Sequence, residues 1–402
     1  MGKPNPILTG HSYAPDAATA VSELRAQIYQ PQMALVIFFC SSNYDLPQLA
    51  AAINQHFSDV LVVGCTTAGE IGPAGYLDHS ITGISFAATC CTAVVGHLGE
   101  LQSFDIAHGR AFAQDLLSQL ESCATYTKTN RNFGLLLIDG LSVREEPVTH
   151  ALQDGLGSIR MFGGSAGDEL KFEQTWIFTD GQFYTDSAAL ILINTSLTFH
   201  LFKTQHFVSG RERMVVTEVD EKNRIVKEIN GLPAALEYAR LVNVDPKQLT
   251  STHFAAWPVV VMIDGTDFVR SIQHANPDGS LTFYCAIDEG VVLRVAHGEN
   301  MLDKLSVTMK ALEENLGHIQ GMLVCDCILR NLEATRDGSK AAVSELFRQY
   351  NAVGFSTYGE QFGGVHINQT LTGIVFGKET KVEHQTGVGN EMQLGNGENA
   401  HD

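Results

Sequence analysis

Two glycine-rich turns carry most of the side chains that could do chemistry. One runs GCTTAGE over residues 64–70, and the other runs GFSTYGE over residues 354–360. Glycines let a backbone approach a ligand closely, and threonine hydroxyls can hydrogen-bond locally. Neither turn has the Lys-Ser/Thr ending of a phosphate-binding loop or the spacing of a dinucleotide fingerprint. The candidate ligand-pocket residues are Gly64, Thr66, Thr67, Gly69, Glu70, Ser356, Thr357, Gly359 and Glu360.

The residues alone leave two interpretations of these turns open. Glycine and hydroxyl side chains usually shape a structural turn, but two related turns can also face one cavity between related domains. Glu70 and Glu360 would then form a carboxylate pair, as a hydrolase or transferase needs. Glutamate after a glycine turn is more often a turn or cap ligand, and the chain lacks a G-x-S-x-G elbow and the paired histidines of a zinc site. Catalysis is therefore the less favoured interpretation.

Three histidines stand in apolar contexts that suit a buried imidazole. His206 precedes FV, His297 follows VVLRVA, and His366 lies within GGVHINQT. A neutral imidazole in an apolar pocket is a standard axial haem ligand, although a hydrogen-bonded core or surface histidine is the commoner state. His366 stands opposite Tyr76 when the two turn regions are aligned. It therefore breaks the similarity between them.

The segments that position these residues are copies of one another. Residues 64–86 and 354–376 align without a gap and share eight identities. Each copy follows an apolar strand and a helix with one apolar stripe. A weaker third copy has its turn, FGGSAGD, at 162–168. We therefore predict an α/β fold of two related halves with internal repeats, layered as an αββα sandwich, with the first two copies in the N-terminal half.

Composition narrows the class of protein. The 402 residues hold 26 Lys+Arg against 45 Asp+Glu, a formal net charge of −19 that would repel nucleic acid. The sequence has no long apolar run for a membrane span, and MGKPNPILTG lacks the features of a secretory signal. The eight cysteines lie mostly in apolar runs, where thiols act as small hydrophobes. We expect a cytoplasmic protein that binds neither nucleic acid nor membrane.

The sequence resembles the FIST sensory domain family. The resemblance rests on VVGCTTAGEIG with DHSITGISF, on GFSTYGE with NQTLTGIVFG, and on EINGLPAALEYA and CDCILR. It implies a FIST N-type domain at 30–215 and a FIST C-type domain at 225–378. Outside them we expect an N-terminal extension at 1–29 and a disordered tail at 379–402.

The resemblance also implies a function. Stand-alone members look like cytoplasmic signal-input proteins without catalytic residues. RSIQ at 270–273 and the segment 278–296 are most similar to a nitric-oxide-sensing branch that binds haem b and regulates a partner histidine kinase, with effects on biofilm behaviour. The candidate axial ligands, and so the candidate haem-iron ligands, are His206, His297 and His366. The alternative is a FIST sensor of another small ligand, such as an amino acid, without haem. Self-association into a homo-oligomer is compatible with either.

Overall fold

The computed structural model describes residues 5–126, 129–263 and 265–379. The predicted tail at 379–402 lies outside these residues except for Glu379. Within them the chain forms three related α/β units and one inserted sheet.

The first unit begins with the segment expected as an N-terminal extension. Residues 7–28 form an edge strand and a helix of the first sheet rather than a separate arm. The edge strand pairs antiparallel with the last strand of the unit, and the two central strands pair in parallel. The elements are β1 (Ile7–Ser12), α1 (Ala17–Ile28), β2 (Met33–Ser41), α2 (Leu46–His56), β3 (Leu61–Thr67), β4 (Glu70–Gly72), β5 (Gly75–Leu77) and β6 (Ile81–Ala87).

The second unit repeats this order and contains the weaker third copy of the turn. Its central strands again pair in parallel and its edge strand antiparallel. The elements are β7 (Cys91–Leu98), α3 (Ile106–Cys123), β8 (Asn132–Ile138), α4 (Glu145–Leu156), β9 (Met161–Ser165), β10 (Ile177–Thr179), β11 (Gln182–Tyr184) and β12 (Ala188–Thr195).

The third unit starts with β13 (Leu197–Thr204) and is then interrupted by a nine-stranded antiparallel sheet, called the inserted sheet below. The insertion contains β14 (Phe207–Ser209), β15 (Met214–Asp220), β16 (Ile225–Ile229), β17 (Leu232–Pro233), α5 (Ala234–Val242), α6 (Ser251–Ala256), β18 (Val259–Ile263), β19 (Thr266–Arg270), β20 (Ile272–Ala275), β21 (Leu281–Phe283) and β22 (Val292–Gly298). The unit resumes with α7 (Met301–Leu316), β23 (Gly321–Cys327), α8 (Ile328–Arg336), α9 (Lys340–Gln349), β24 (Ala352–Thr357), β25 (Glu360–Phe362), β26 (Val365–Ile367) and β27 (Leu371–Glu379).

The three units exchange hairpins in a cycle. The β4–β5 hairpin of the first unit pairs with β24 of the third, the β10–β11 hairpin of the second pairs with β3 of the first, and the β25–β26 hairpin of the third pairs with β9 of the second. Each six-stranded sheet therefore ends in a hairpin from another unit. The two expected halves are therefore joined through shared sheets, and they cannot separate without breaking strand pairs.

The predicted layered α/β fold is confirmed. The inner faces of the three sheets share one core, in which the rings of Phe39 and Phe355 stack at 4.6 Å between centroids. Separate clusters on the outer faces join each sheet to its own helices. This layering buries both faces of the central strands, such as β6, β12, β23 and β24, as the continuous apolar runs in the sequence require.

Local sequence explains where the helices begin. Asp16, Asp45 and Asp105 precede α1, α2 and α3, and each carboxylate accepts a hydrogen bond from a first-turn backbone N–H at 2.9 to 3.0 Å. Such caps satisfy donors that a helix leaves free. None of the helices in the described part of the chain combines the length and apolar character needed to span a bilayer.

Candidate functional site

The three glycine turns meet where the hairpins are exchanged. The Ala68 N–H donates to the Ser356 carbonyl at 3.0 Å, and the Tyr358 N–H donates to the Ser165 carbonyl at 3.1 Å. The Gly167 N–H donates to the Thr66 carbonyl at 3.1 Å, which closes a ring of backbone hydrogen bonds among the units. The three turns are therefore close in space as well as similar in sequence.

Glu70 and Glu360, the two predicted glutamates, each accept hydrogen bonds from their own turn and from the segment that follows it. The Thr67 hydroxyl donates to Glu70 at 2.5 Å, and the N–H and hydroxyl of Ser80 donate to its other oxygen at 3.1 and 2.6 Å. Burial raises the pKa of both glutamates to about 8, although these hydrogen bonds oppose the rise. The equivalent donors to Glu360 are Thr357 and Thr370.

Both carboxyl groups are thus fully occupied by their own turns. The side chains of both glutamates are completely buried, and all nine predicted ligand-pocket residues are buried in the contacts between units. A carboxyl group that reacts with substrate must be reachable from a cleft. The arrangement assigns these residues to the scaffold beneath the site described next.

The cleft nearest to the meeting turns lies between the second unit, the inserted sheet and the third unit. Its volume is about 240 Å³. That is somewhat smaller than the roughly 300–1,000 Å³ typical of pockets for drug-sized ligands. The lining residues are Gly140, Leu141, Val143, Phe172, Lys222, Asn223, Arg224, Gln273, Thr282, Phe283, Tyr284 and Tyr358.

Arg224 ties the inserted sheet to the second unit at the wall of this cleft. Its Nη2 lies 2.6 Å from Glu145 and 2.7 Å from Glu146, and its Nη1 donates to the Tyr284 carbonyl at 2.8 Å. Burial would lower the pKa of Arg224, but the two carboxylates raise it, so the guanidinium stays charged. Its Nε has no hydrogen-bond partner among the described residues, which leaves one oriented, buried donor.

An aromatic pair covers the inner end of the cleft. The rings of Phe172 and Tyr358 stack at 4.7 Å between centroids and 18° between planes. The Tyr358 hydroxyl accepts from the Leu170 N–H at 2.8 Å and donates to Asp168. Glu169, Leu170 and Phe172 all have positive φ angles, between 54° and 66°. Non-glycine residues rarely adopt this conformation, and such strain clusters at ligand clamps and switch regions.

Beneath the aromatic pair lies a small, mostly apolar cavity of about 10 Å³, room for roughly one water. Asn368 lines this cavity, and its side chain is about 1% exposed. No described residue partners its Oδ1. A buried acceptor without a partner costs about 1–3 kcal/mol, and a water or a ligand group that donates a hydrogen bond would remove this cost.

His366, the predicted axial ligand within the repeat, lies two residues from Asn368 on the exchanged hairpin. The Gln361 amide nitrogen lies 3.1 Å from its Nδ1, and its Nε2 finds no partner among the described residues. Burial lowers the pKa of His366 to about 4, so the ring is neutral at pH 7. A Cβ on Gly359 would lie 2.3 Å from the His366 Cε1, so the ring packs directly over this glycine.

His206 belongs to a buried ion-pair network. Its Nε2 lies 2.9 Å from Glu333, and its Nδ1 lies 3.3 Å from Arg330, which in turn pairs with Asp326 at 2.7 Å. The Tyr76 hydroxyl donates to the same aspartate. Both ring nitrogens of His206 are therefore committed within the protein.

His297, the third predicted ligand, is exposed on β22. It borders a surface cleft of about 340 Å³ whose lining includes Trp257 and Arg211. The structure thus brings none of the three histidines together: His206 is in an ion-pair network, His366 is buried against Gly359, and His297 is at the surface.

These surroundings differ in how well they fit a haem. His206 does not fit because its nitrogens are occupied, and His366 does not fit because the cavity at Asn368 holds about one water and Gly359 lies against the ring. His297 fits best, since an open cleft offers an indole face for a macrocycle and a guanidinium for a carboxylate. Within the described residues no three His, Cys, Asp or Glu side chains are grouped to hold a bare metal ion.

The sequence did not indicate the residues that line the main cleft. Arg224, Tyr284 and Phe172 lie in three segments that only the folded chain brings together. Tyr358 had a signal, because it occupies the turn position filled by alanine in the other two copies. A bulky aromatic residue in an otherwise small-residue turn marks a departure from the shared scaffold.

The comparisons with known families match most of the chain. Residues 34–232 match the FIST N domain, and residues 234–363 match the FIST C domain. No curated protein matches the sequence.

Proposed function

We propose that this chain, which belongs to the FIST family of sensor domains for small ligands, detects a small polar molecule of about amino-acid size in the cleft lined by Arg224, Phe172 and Tyr358. The observation that carries this proposal is the cleft itself. It has aromatic walls and a strained loop beside it. Two buried polar atoms lack partners among the described residues: Arg224 Nε at the wall of the cleft, and Asn368 Oδ1 in the small cavity on the other side of Phe172 and Tyr358.

The unpartnered atoms indicate which groups the ligand carries. Arg224 Nε offers a hydrogen bond from a charged group, which favours a carboxylate or another strong acceptor. Asn368 Oδ1 accepts a hydrogen bond, which favours an amine or amide N–H at the other end. The aromatic side chains between them would bury the body of such a molecule. No group in the cleft is arranged as a nucleophile with its base, so we propose binding without chemistry.

The position of the cleft suggests how binding is reported. A ligand held by Arg224 and Asn368 would contact the inserted sheet and the third unit at once. Binding would therefore stabilise the conformation in which the ligand contacts both the inserted sheet and the third unit, and other conformations would become less populated. Following the resemblance, we propose that a cytoplasmic partner histidine kinase responds to this conformational change. The alternative is that the change is transmitted to other copies of the chain in a homo-oligomer.

Calorimetric titration of the full chain with the free amino acids tests the proposal. We expect at least one to bind, and we expect Phe172→Ala and Asn368→Leu to weaken it at least tenfold. Leu236→Ala is the matched control, because this exposed leucine lies on α5 and does not line the cleft. Binding that both cleft variants leave unchanged would refute the site.

The second candidate is a haem-based nitric-oxide sensor, favoured by the cleft beside His297. Here His297 would hold the iron, Trp257 would pack against the macrocycle, and Arg211 would pair with a propionate. A bound haem would supply the site for nitric oxide. Purified chain supplied with haem b should show a Soret band that shifts with nitric oxide and is lost in His297→Ala. Absence of stoichiometric Soret absorbance rejects this candidate and leaves the first intact.

A further inference from the structure

A second, larger groove runs along the opposite side of the third unit. Its volume is about 620 Å³, and it lies between strand β13 and helix α7, with β19 of the inserted sheet and β25 at its rim. The lining residues are His200, Leu201, Phe202, Lys203, Phe268, Val307, Thr308, Ala311, Leu312, Asn315 and Phe362. Four consecutive residues of β13 belong to this lining, so the groove follows the strand.

Two unpaired strand edges border this groove. In the described residues β13 pairs only with β27, and it is the first strand of its sheet. β19, which contributes Phe268 to the groove, is likewise an edge strand and pairs only with β18 in that part of the chain. An unpaired edge presents backbone N–H and C=O groups that another extended segment can use. Proteins usually cover or charge such edges unless they bind something there.

The chemistry of the lining selects the kind of segment. Most of the lining is apolar, and Val307 on α7 is 66% exposed. Among the described residues no carboxylate belongs to the lining, although the chain as a whole carries a formal charge of −19. Its one lysine, Lys203, lies 3.8 Å from the centre of the Phe268 ring and so spans the groove from one edge strand to the other. Burial lowers the pKa of Lys203 to about 8, so the side chain is still mostly protonated at pH 7. A basic, apolar groove on an acidic protein favours an apolar segment that also carries acidic side chains.

We propose that this groove binds an extended acidic segment of a partner protein, which adds to β13 as a further strand and buries alternate apolar side chains against α7. The backbone of β13 would give affinity, and the apolar groove with Lys203 would give specificity. This output surface is independent of which ligand the cleft at Phe172 binds.

Fluorescence polarisation with the full chain tests the proposal. The probe is a fluorescein-labelled octapeptide of alternating valine and glutamate, and the matched probe replaces every glutamate with lysine. We expect the acidic probe to bind at least tenfold more tightly than the basic one. Val307→Asp and Lys203→Glu should each weaken it at least tenfold. Leu236→Asp is the control, since it introduces the same charge at another exposed apolar position, on α5.

A photo-crosslinking residue at position 307 identifies the occupant. Val307→p-benzoylphenylalanine should crosslink to the acidic probe, and excess unlabelled probe should suppress the product. Crosslinking to residues 380–402 of the same chain, or to a second copy, would show another occupant and overturn the proposal. Equal binding of both probes, or binding that the two groove variants leave unchanged, would overturn it as well.

Discussion

Tyr76 and His366 occupy equivalent positions on two exchanged hairpins, yet their surroundings are opposite in kind. Tyr76 on β5 donates its hydroxyl to Asp326, which is also paired with Arg330. His366 on β26 has a partner at one ring nitrogen and none at the other among the described residues. Both side chains are buried. One copy of the hairpin is therefore closed by a complete polar network, and the other is left incomplete.

This difference shows which features the repeated units keep in common and which features differ between the copies. The turns at Glu70 and Glu360 keep the same set of donors in both copies, because interlocked sheets need them. The hairpin tips do not share that constraint. A buried polar group without a partner costs free energy, so natural proteins retain it mostly where a ligand or a function uses it. We therefore propose that the third-unit hairpin, which leads into Asn368, borders the sensing site, and that the first-unit hairpin contributes to stability.

The largest expected effect comes from breaking the complete network. Arg330→Leu removes the partner 2.7 Å from buried Asp326 and leaves that carboxylate uncompensated. Breaking a buried pair from one side costs about 3–5 kcal/mol. Urea unfolding at pH 7 measures the loss in the free energy of unfolding. The control is Arg348→Leu, whose partner Glu345 is exposed and whose loss should cost under about 1 kcal/mol.

Equal losses in these two variants would contradict the comparison, because the buried network would then contribute no more than a surface pair. Ligand titration of Arg330→Leu adds a second check. As long as this variant stays folded, its amino-acid binding should match that of the unchanged chain, since Arg330 does not line the cleft at Phe172.

Substitutions of Tyr76 and His366 should have smaller effects on stability, and they compare the two hairpins directly. Tyr76→Phe leaves Asp326 without one donor and should cost about 1–3 kcal/mol. His366→Leu removes a ring whose Nε2 has no described partner, so it should cost under about 1 kcal/mol. The same His366→Leu chain should show a changed ligand affinity in calorimetry, and Tyr76→Phe should not. The reverse pattern would move the sensing site to the first-unit hairpin.

Local pattern was sufficient to predict the repeated units. Continuous apolar runs predicted strands at 34–40 and 322–327, and the structure has them at Met33–Ser41 and Gly321–Cys327. The aligned turns also predicted that the copies would be equivalent in space. These features depend on side-chain period and on short segments, which a single sequence displays directly. Burial of Cys40, Cys65 and Cys325 follows from the same runs.

The exchange of hairpins and the sites could not be predicted in this way. Phe355 pairs with Glu70 between two strands that are far apart in the sequence. His206 contacts Glu333, which is 127 residues away in the sequence. Such contacts depend on tertiary packing, and no periodic pattern in the sequence indicates which two distant segments will pack together. The haem-ligand prediction for His206 used its apolar neighbours, and these proved equally suited to a buried ion pair.

The smallest effect tests the part of the scaffold that both copies share. Because burial raises the pKa of Glu70 and Glu360 to about 8, the folded chain holds protons there that the unfolded chain, with a pKa near 4.5, has released. Between these values the unfolding free energy must fall as pH rises, by up to about 1.4 kcal/mol per pH unit and per group. Glu70→Gln and Glu360→Gln should each remove one such contribution between pH 6 and pH 7, by similar amounts. Urea unfolding at the two pH values measures it, and a response confined to one variant would show that the two turns have diverged as the hairpin tips have.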